Sequence, residues 1–193
     1  MLSTFILQLR GASPLELIAV FTGIVYVLLV VRRSRWCWVW GAVSSGVLAG
    51  LAFGAQLPLQ AALQSIYVVM SAYGFWQWSR SQSATLKIKT WPWQRHIIAL
   101  PLILVIAYLS GPWLTANTGA AWPRLDAAVV LASLLATYMV ARVLLENWIY
   151  WIFVDVISCY LYAVQGLAFV ALLYIIYCII AIFGFRTWYQ KKL

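Results

Sequence analysis

The sequence predicts an all-α integral membrane protein with seven transmembrane helices, built as a 3+1+3 parallel repeat. Three observations support this fold class. Of the 193 residues, 65% are hydrophobic and only 9% are charged, whereas a soluble domain carries about 25% charged residues. The apolar residues form seven continuous stretches separated by loops of unequal positive charge. Similar residues also recur in the same order 110 positions further along the chain.

Each of the seven apolar stretches is long enough to cross a bilayer as a helix. They are continuously apolar rather than alternating, which argues against a transmembrane β-barrel. In chain order they span about Pro14–Val31, Trp36–Phe53, Leu57–Trp78, Ile97–Leu114, Leu125–Leu144, Trp148–Ala163 and Leu167–Trp188.

The basic residues predict the orientation. With seven spans, eleven of the 13 Lys and Arg residues fall on one side, namely Arg32, Arg33, Arg35, Arg80, Lys87, Lys89, Arg95, Arg142, Arg186, Lys191 and Lys192. Only Arg10 and Arg124 fall on the other side. Cytoplasmic loops carry the excess of Lys and Arg, so we expect the N-terminus outside and the C-terminus in the cytoplasm. These cations sit between apolar segments, so we expect no nucleic-acid partner.

An internal repeat groups the spans. Residues 14–83 align without gaps with residues 124–193, and the identical pairs include Arg32/Arg142, Trp38/Trp148, Leu57/Leu167, Ala61/Ala171, Ile66/Ile176, Tyr67/Tyr177, Gly74/Gly184, Phe75/Phe185 and Trp78/Trp188. We therefore predict a triple-helix repeat in 14–83, a basic loop, connector helix and outer loop in 84–123, and a second triple-helix repeat in 124–193. A single connector gives both repeats the same orientation. Transporters built this way bind substrate near the midplane between the repeats, so we predict a transporter.

The sixth span carries a charge well inside the membrane. Burying the Asp155 carboxylate costs at least about 2.5–3.5 kcal/mol, so we expect it to face a wet cavity or a partner. Asn147, Trp151 and Tyr162 recur with it at helical spacing, and Trp148 lies beside them. Aromatic faces with a carboxylate suit a flat cationic ring. The alternatives are a structural aspartate and, for the two tryptophans, an interfacial aromatic belt.

Further candidate substrate contacts lie in the first repeat. Gln60, Gln64 and Tyr67 follow one face of the third span, where they line a pocket or serve as contacts between helices. Trp40 in the second span is the repeat counterpart of Tyr150. His96 has no second ligand nearby in the sequence, so we predict no metal site and no cofactor. No catalytic cluster indicates an enzyme; a membrane scaffold or assembly protein is the alternative of another class.

The segment Glu146–Asp155, ENWIYWIFVD, resembles the ENWxxW signature of the PnuC family of bacterial vitamin transporters. Tyr73–Trp78 and Gly184–Trp188 resemble the ends of that family's third and seventh spans. The resemblance implies a layout similar to that of SWEET sugar transporters, in a bacterial inner (plasma) membrane. It also implies facilitated diffusion of nicotinamide riboside, an NAD precursor, made one-way by a cytosolic kinase that phosphorylates it.

One residue departs from this resemblance. The nicotinamide riboside branch of the family is associated with Asn where this chain has Asp155. Aspartate there looks more like the thiamine branch, so thiamine or another cationic aromatic vitamin is the alternative substrate, and a further branch carries riboflavin. Besides this substrate we expect only membrane lipid as a partner, and a homo-oligomer is left open.

Overall fold

The computed structural model describes residues 13–80, 86–118 and 122–192, without the side chains of Pro58 and Phe169. Its described part contains seven α-helices. They are α1 (Pro14–Val31), α2 (Cys37–Gly54), α3 (Pro58–Ser79), α4 (Trp93–Thr118), α5 (Pro123–Ala141), α6 (Asn147–Val164) and α7 (Ala168–Lys192).

The helix starts follow from local chemistry. Pro14, Pro58 and Pro123 begin α1, α3 and α5, because proline's fixed φ suits the first helical position and its missing N–H is not needed there. Ser13 caps α1: its Oγ accepts the N–H of Glu16 at 3.2 Å, and its own N–H donates to the Glu16 carboxylate at 3.0 Å. Glu16 is therefore a helix-capping residue.

The turns between paired helices contain residues in the left-handed region. Arg33 and Val143 have φ values of 55° and 56° in the α1–α2 and α5–α6 turns. Gln56 and Gly166, with φ values of 58° and 77°, lie in the α2–α3 and α6–α7 turns. Each pair is separated by 110 residues, so the two halves of the chain turn in the same way.

Most predicted spans agree with the helices to within one residue at each end, with larger differences in α4, α5 and α7, the last of which continues to Lys192 rather than ending at Trp188. The fifth helix ends at Ala141 rather than Leu144, because the following turn pairs with the α3–α4 loop: the Lys89 N–H donates to the Val143 carbonyl and the Leu145 N–H to the Lys89 carbonyl, both at 2.9 Å. The fourth helix extends over Trp93–Thr118 and continues through two prolines.

Six of the described helices are long and apolar enough to cross a membrane: α1, α2, α4, α5, α6 and α7. The remaining helix, α3, is 22 residues long and carries Gln60, Gln64 and Gln77, which lower its hydropathy. It nevertheless packs between α2 and α5 within the bundle. The protein is therefore a multi-pass helical membrane protein, whose exposed apolar surface suits a lipid solvent.

The packing forms two groups of three helices. Within the groups, α2 contacts α1 and α3, and α6 contacts α5 and α7. Between the groups, α3 contacts α5 and α1 contacts α7, while α4 packs against α5. We call the end of the bundle that carries Arg32, Arg142 and Lys192 the basic end. The largest buried core lies there, around a tryptophan cluster formed by Trp38, Trp78, Trp148 and Trp188.

Candidate functional site

A central cavity of about 240 Å³ lies between the two groups of helices. Its described lining comes from all six helices of the groups: Gly23, Tyr26, Val27 and Val30 of α1, Gly41, Ser44 and Ser45 of α2, Gln64, Tyr67 and Ser71 of α3, Val129, Ser133, Thr137 and Val140 of α5, Trp148, Trp151, Val154, Asp155 and Ser158 of α6, and Tyr174, Tyr177 and Ala181 of α7. The cavity thus lies where the groups meet.

Helix α6 supplies the cavity's charge. Asp155 is only 3% exposed and is the one charged side chain among the described lining residues. It lies close enough to Tyr174 and Tyr177 of α7 to interact with them electrostatically. One turn before it, Trp151 adds an indole to the same wall. A buried carboxylate beside aromatic rings therefore faces a space that a ligand can fill.

Tyrosine hydroxyl groups of one helix group contact residues of the other group at the cavity. Tyr67 of α3 shares a hydrogen bond with Ser133 of α5, and the Ser133 hydroxyl donates to the Val129 carbonyl at 2.7 Å. At the counterpart position, the Tyr177 hydroxyl lies against Gly23, where an added Cβ would be 2.8 Å from that oxygen. Gly23 thus leaves the room that the Tyr177 hydroxyl occupies.

The lining also follows the 110-residue spacing. Pairs that line the cavity from both groups include Gly23/Ser133, Val27/Thr137, Val30/Val140, Gly41/Trp151, Ser44/Val154, Ser45/Asp155, Gln64/Tyr174, Tyr67/Tyr177 and Ser71/Ala181. The positions correspond but the chemistry differs, since Gly41 and Ser45 face the cavity where α6 has Trp151 and Asp155. Such a cavity has an apolar-aromatic, acidic wall on one side and a small, neutral wall on the other.

The tryptophan cluster adjoins the cavity at the basic end. Trp38 meets Trp78 edge to face with ring centroids 5.6 Å apart, and Trp148 meets Trp188 in the same way at 5.4 Å. Two indole hydrogen bonds then join the helix groups, from Trp78 Nε1 to the Ala141 carbonyl and from Trp188 Nε1 to the Val31 carbonyl, both at 3.1 Å. These contacts hold the two groups together at the basic end.

One polar atom of the cavity wall has no partner in the described part of the protein. The Trp148 indole N–H is buried without an acceptor there, although Trp148 lines the cavity. Buried N–H groups are nearly always hydrogen-bonded to protein or water. Trp148 as a whole is only 1% exposed, so this N–H is enclosed by the packed tryptophan cluster.

Five predicted site residues line the cavity: Trp148, Trp151, Asp155, Gln64 and Tyr67. They come from α6 and α3, so the structure brings together the polar faces of the sixth and third spans. Their contacts with a substrate stay a prediction.

The other four predicted residues lie outside the described lining. Asn147 is fully buried and donates from Nδ2 to the Leu144 carbonyl, so it braces the α5–α6 turn. Trp40 is 36% exposed, and Gln60 is exposed too. Tyr162 stacks on Tyr174 with centroids 5.4 Å apart, which places it behind a lining residue.

Sequence reasoning missed several lining residues, notably Tyr174 and Tyr177. Both lie 110 residues after Gln64 and Tyr67, which were selected. The repeat was therefore the signal that could have found them. Tyr26 and Ser158 carry no comparable signal, because single hydroxyl groups in apolar helices are common contacts between helices.

A cavity between two like-oriented groups of membrane helices is typical of a transporter for small solutes. The comparisons agree with this class. The family model described as the nicotinamide mononucleotide transporter matches residues 13–190, so the chain belongs to that family of membrane transporters, and its resemblance to the PnuC family is confirmed. Because the members of this family are transporters, an enzymatic function is ruled out.

Several known proteins are similar over most of the chain. The riboflavin/roseoflavin transporter RibM of Streptomyces davaonensis is 28% identical over 187 residues, covering 92% of this chain and 85% of that protein. The nicotinamide riboside transporter PnuC of Escherichia coli is 25% identical over 206 residues, covering 91% and 85%. The crystal structure of the vitamin B3 transporter PnuC has the same fold, with a TM-score of 0.77 at 22% identity, covering 99% of this chain and 89% of that one.

Proposed function

We propose that this protein carries a cationic aromatic vitamin, in the first place nicotinamide riboside, across the bacterial inner membrane by facilitated diffusion. The observation that carries the proposal is Asp155, the one charged group among the described residues of the cavity, next to Trp148 and Trp151. Uptake becomes one-way when a separate cytosolic kinase phosphorylates the vitamin.

The cavity's charge favours a cation. A carboxylate that is 3% exposed in a membrane bundle is costly when ionised, and a cationic ligand offsets that cost. The face of Trp151 attracts the same positive ring through its quadrupole. Pyridinium and thiazolium rings both meet these requirements, so thiamine is the second candidate.

Riboflavin is a candidate because RibM is among the relatives. Two observations count against it here. Its isoalloxazine ring system is uncharged and would leave Asp155 without a counter-ion. Its fused three-ring system is also larger than the pyridinium or thiazolium ring of the other candidates, and the cavity of about 240 Å³ is small. The alternative of another class is a scaffold or assembly protein. Such a protein does not need a ligand-binding cavity, so this alternative predicts that the lining residues tolerate substitution.

The transport step follows from the two helix groups. In our proposal the vitamin enters from the outer end, opposite the basic end, and stacks on Trp151. Asp155 pairs with its charge and Gln64 offers an amide to its polar substituents. The groups then rock against each other, which requires the tryptophan cluster to separate and opens the basic end to the cytoplasm.

The decisive experiment replaces Asp155 by Asn and measures radiolabelled uptake into proteoliposomes. Losing the charge pair should raise KM for nicotinamide riboside and thiamine at least about tenfold, which corresponds to about 1.4 kcal/mol. Asp126→Asn is the matched control, because Asp126 lies near the start of α5 and outside the described cavity lining. Unchanged KM for both cations in Asp155→Asn, or faster uptake of riboflavin than of either cation by the parent protein, would refute the proposal.

A further inference from the structure

A second cavity, of about 210 Å³, lies at the basic end and is separate from the central one. Trp78 at the end of α3, Lys87 and Lys89 of the α3–α4 loop, and Arg142 of the α5–α6 turn contribute to its wall. The cavity is thus bounded by both helix groups and by the loop that connects them.

Positive charge dominates this second cavity. Lys87, Lys89 and Arg142 line it, and the described residues form no ion pair that would neutralise them. Of the four Asp and Glu side chains, only Glu146, in the α5–α6 turn, lies in the same region, and one of its oxygens accepts the Trp91 N–H at 3.2 Å. The Arg142 guanidinium is charged at any physiological pH, and a hydrogen bond with Tyr73 raises its pKa further.

The wall of this cavity is held in place. The main chain of Lys89 pairs with Val143 and Leu145. Arg33 donates from Nη1 to the Leu86 carbonyl at 2.7 Å, and its Nε is buried without an acceptor among the described residues. A fourth cation with an unused donor therefore stands behind the lining residue Leu86.

We propose that the second cavity binds a phosphate group, carried either by the headgroup of an anionic phospholipid or by a soluble phosphomonoester. Guanidinium groups and clustered lysines recognise phosphate through charge-assisted hydrogen bonds. Basic pockets between membrane helices on the cytoplasmic side suit anionic headgroups. A dianionic or monoanionic phosphate supplies the negative charge that the described lining residues lack.

Binding would act on the contact between the helix groups. The cavity lies beside the Trp78–Ala141 hydrogen bond, so a bound phosphate would contact the end of α3, the α3–α4 loop and the α5–α6 turn together. The bound phosphate therefore stabilises the conformation in which the basic end of the bundle is closed. This inference goes beyond the proposed vitamin transport and does not depend on which solute the central cavity takes.

The test uses the purified full-length protein in nanodiscs and measures its thermal unfolding. Replacing phosphatidylcholine with a mixture containing phosphatidylglycerol should raise the midpoint by about 2–4 °C, the shift that about 1 kcal/mol produces in a protein of this size. The double variant Lys87→Gln/Lys89→Gln should lose at least half of that shift. Lys191→Gln/Lys192→Gln is the matched control, since it removes the same charge at the same end but outside the cavity, and it should keep the full shift.

Soluble probes distinguish the two sources. Inorganic phosphate and glycerol 3-phosphate are added to phosphatidylcholine nanodiscs and compared with sodium chloride at equal ionic strength. A shift with these probes assigns the site to any phosphate group, whereas a shift with phosphatidylglycerol alone assigns it to the lipid headgroup. Arg142→Gln provides a second variant that should weaken either shift. The proposal fails if no probe shifts the midpoint, or if both double variants respond equally.

Discussion

Trp151 and Trp40 show how one type of side chain takes two roles in this bundle. Trp151 lines the central cavity about one helix turn from the basic end of α6. Trp40 occupies a similar depth in α2, but it is 36% exposed and meets Phe21 edge to face at 6.3 Å. The first can therefore stack on a ligand ring, and the second packs on the outside of the bundle.

The pair gives a matched test at the residue scale. Trp151→Ala should raise KM for the transported vitamin about tenfold, because stacking with a cation above an indole contributes about 1–2 kcal/mol when the contact is desolvated. Trp40→Ala should leave KM within about twofold. Uptake into proteoliposomes at varied vitamin concentration measures both, and a larger effect at Trp40 than at Trp151 would contradict the assignment.

Residue-level prediction from sequence succeeded for polar side chains deeper in the spans, but not for Gln60 near the start of α3, which is exposed. Asp155 and Gln64 are expensive in lipid, so an inward position followed from solvation energy alone. Trp40 and Asn147 could not be placed in this way. A tryptophan suits the cavity, the interface and lipid equally well, and the Asn147 amide satisfies a turn carbonyl that is invisible without the chain's path.

At the scale of helices, close packing at the basic end depends on two glycines. An added Cβ at Gly184 would lie 2.6 Å from ring atoms of Trp148, and one at Gly74 would lie 2.3 Å from the ring of Trp38. Both tryptophans are only 1% exposed, so neither ring has space to move away. Because glycine has no side chain, α3 can pack directly against the indole of Trp38 in α2, and α7 against the indole of Trp148 in α6.

This packing predicts the effect of a single methyl group. Gly184→Ala should destabilise the protein by about 1–3 kcal/mol, the usual cost of overpacking, despite alanine's better helix propensity. Gly46→Ala in α2 is the control, because a Cβ there meets nothing within 4 Å and the propensity gain of up to about 1 kcal/mol remains. Thermal unfolding in detergent measures both; equal midpoints for the two variants would contradict the packing argument.

Element boundaries were predictable to the extent that they depend on hydropathy. The ends of α1, α2, α3 and α6 and the start of α7 follow the apolar stretches closely because lipid demands apolar side chains and internally satisfied backbones. The end of α5 was not predictable. It depends on main-chain hydrogen bonds between Lys89 and the α5–α6 turn, a contact between segments that lie far apart in the sequence and have no pattern in common.

For the whole molecule, the contacts between the helix groups come in equivalent pairs. The bond from Trp78 to the Ala141 carbonyl corresponds to the bond from Trp188 to Val31, since both donors and both acceptors are 110 residues apart. This exchange of partners is what two like-oriented repeats would produce, and it supports the proposed division into 14–83, 84–123 and 124–193. The self-similarity of the sequence predicted that arrangement, whereas the cavity's size and its closed end depend on packing.

If the closed basic end depends on both indole bonds, removing either one should open it. Each hydrogen bond contributes about 1 kcal/mol, which changes a two-state population about fivefold. Trp78→Phe and Trp188→Phe keep most of the ring packing and remove only the N–H. A cysteine placed at Ser71, a buried cavity residue, should then react several times faster with an impermeant maleimide added from the basic end, in a background whose native cysteines are replaced by alanine.

The equivalence of the two bonds makes this prediction stricter. Trp78→Phe and Trp188→Phe should raise the labelling rate by similar factors, because each breaks the same contact from opposite sides of the cavity. Trp113→Phe is the control, since Trp113 lies in α4 and is 56% exposed; it should leave the rate unchanged. If only one of the two cluster variants increases labelling, only that hydrogen bond keeps the basic end closed. The two helix groups would then not contribute equally to closure, contrary to what their sequence similarity implies.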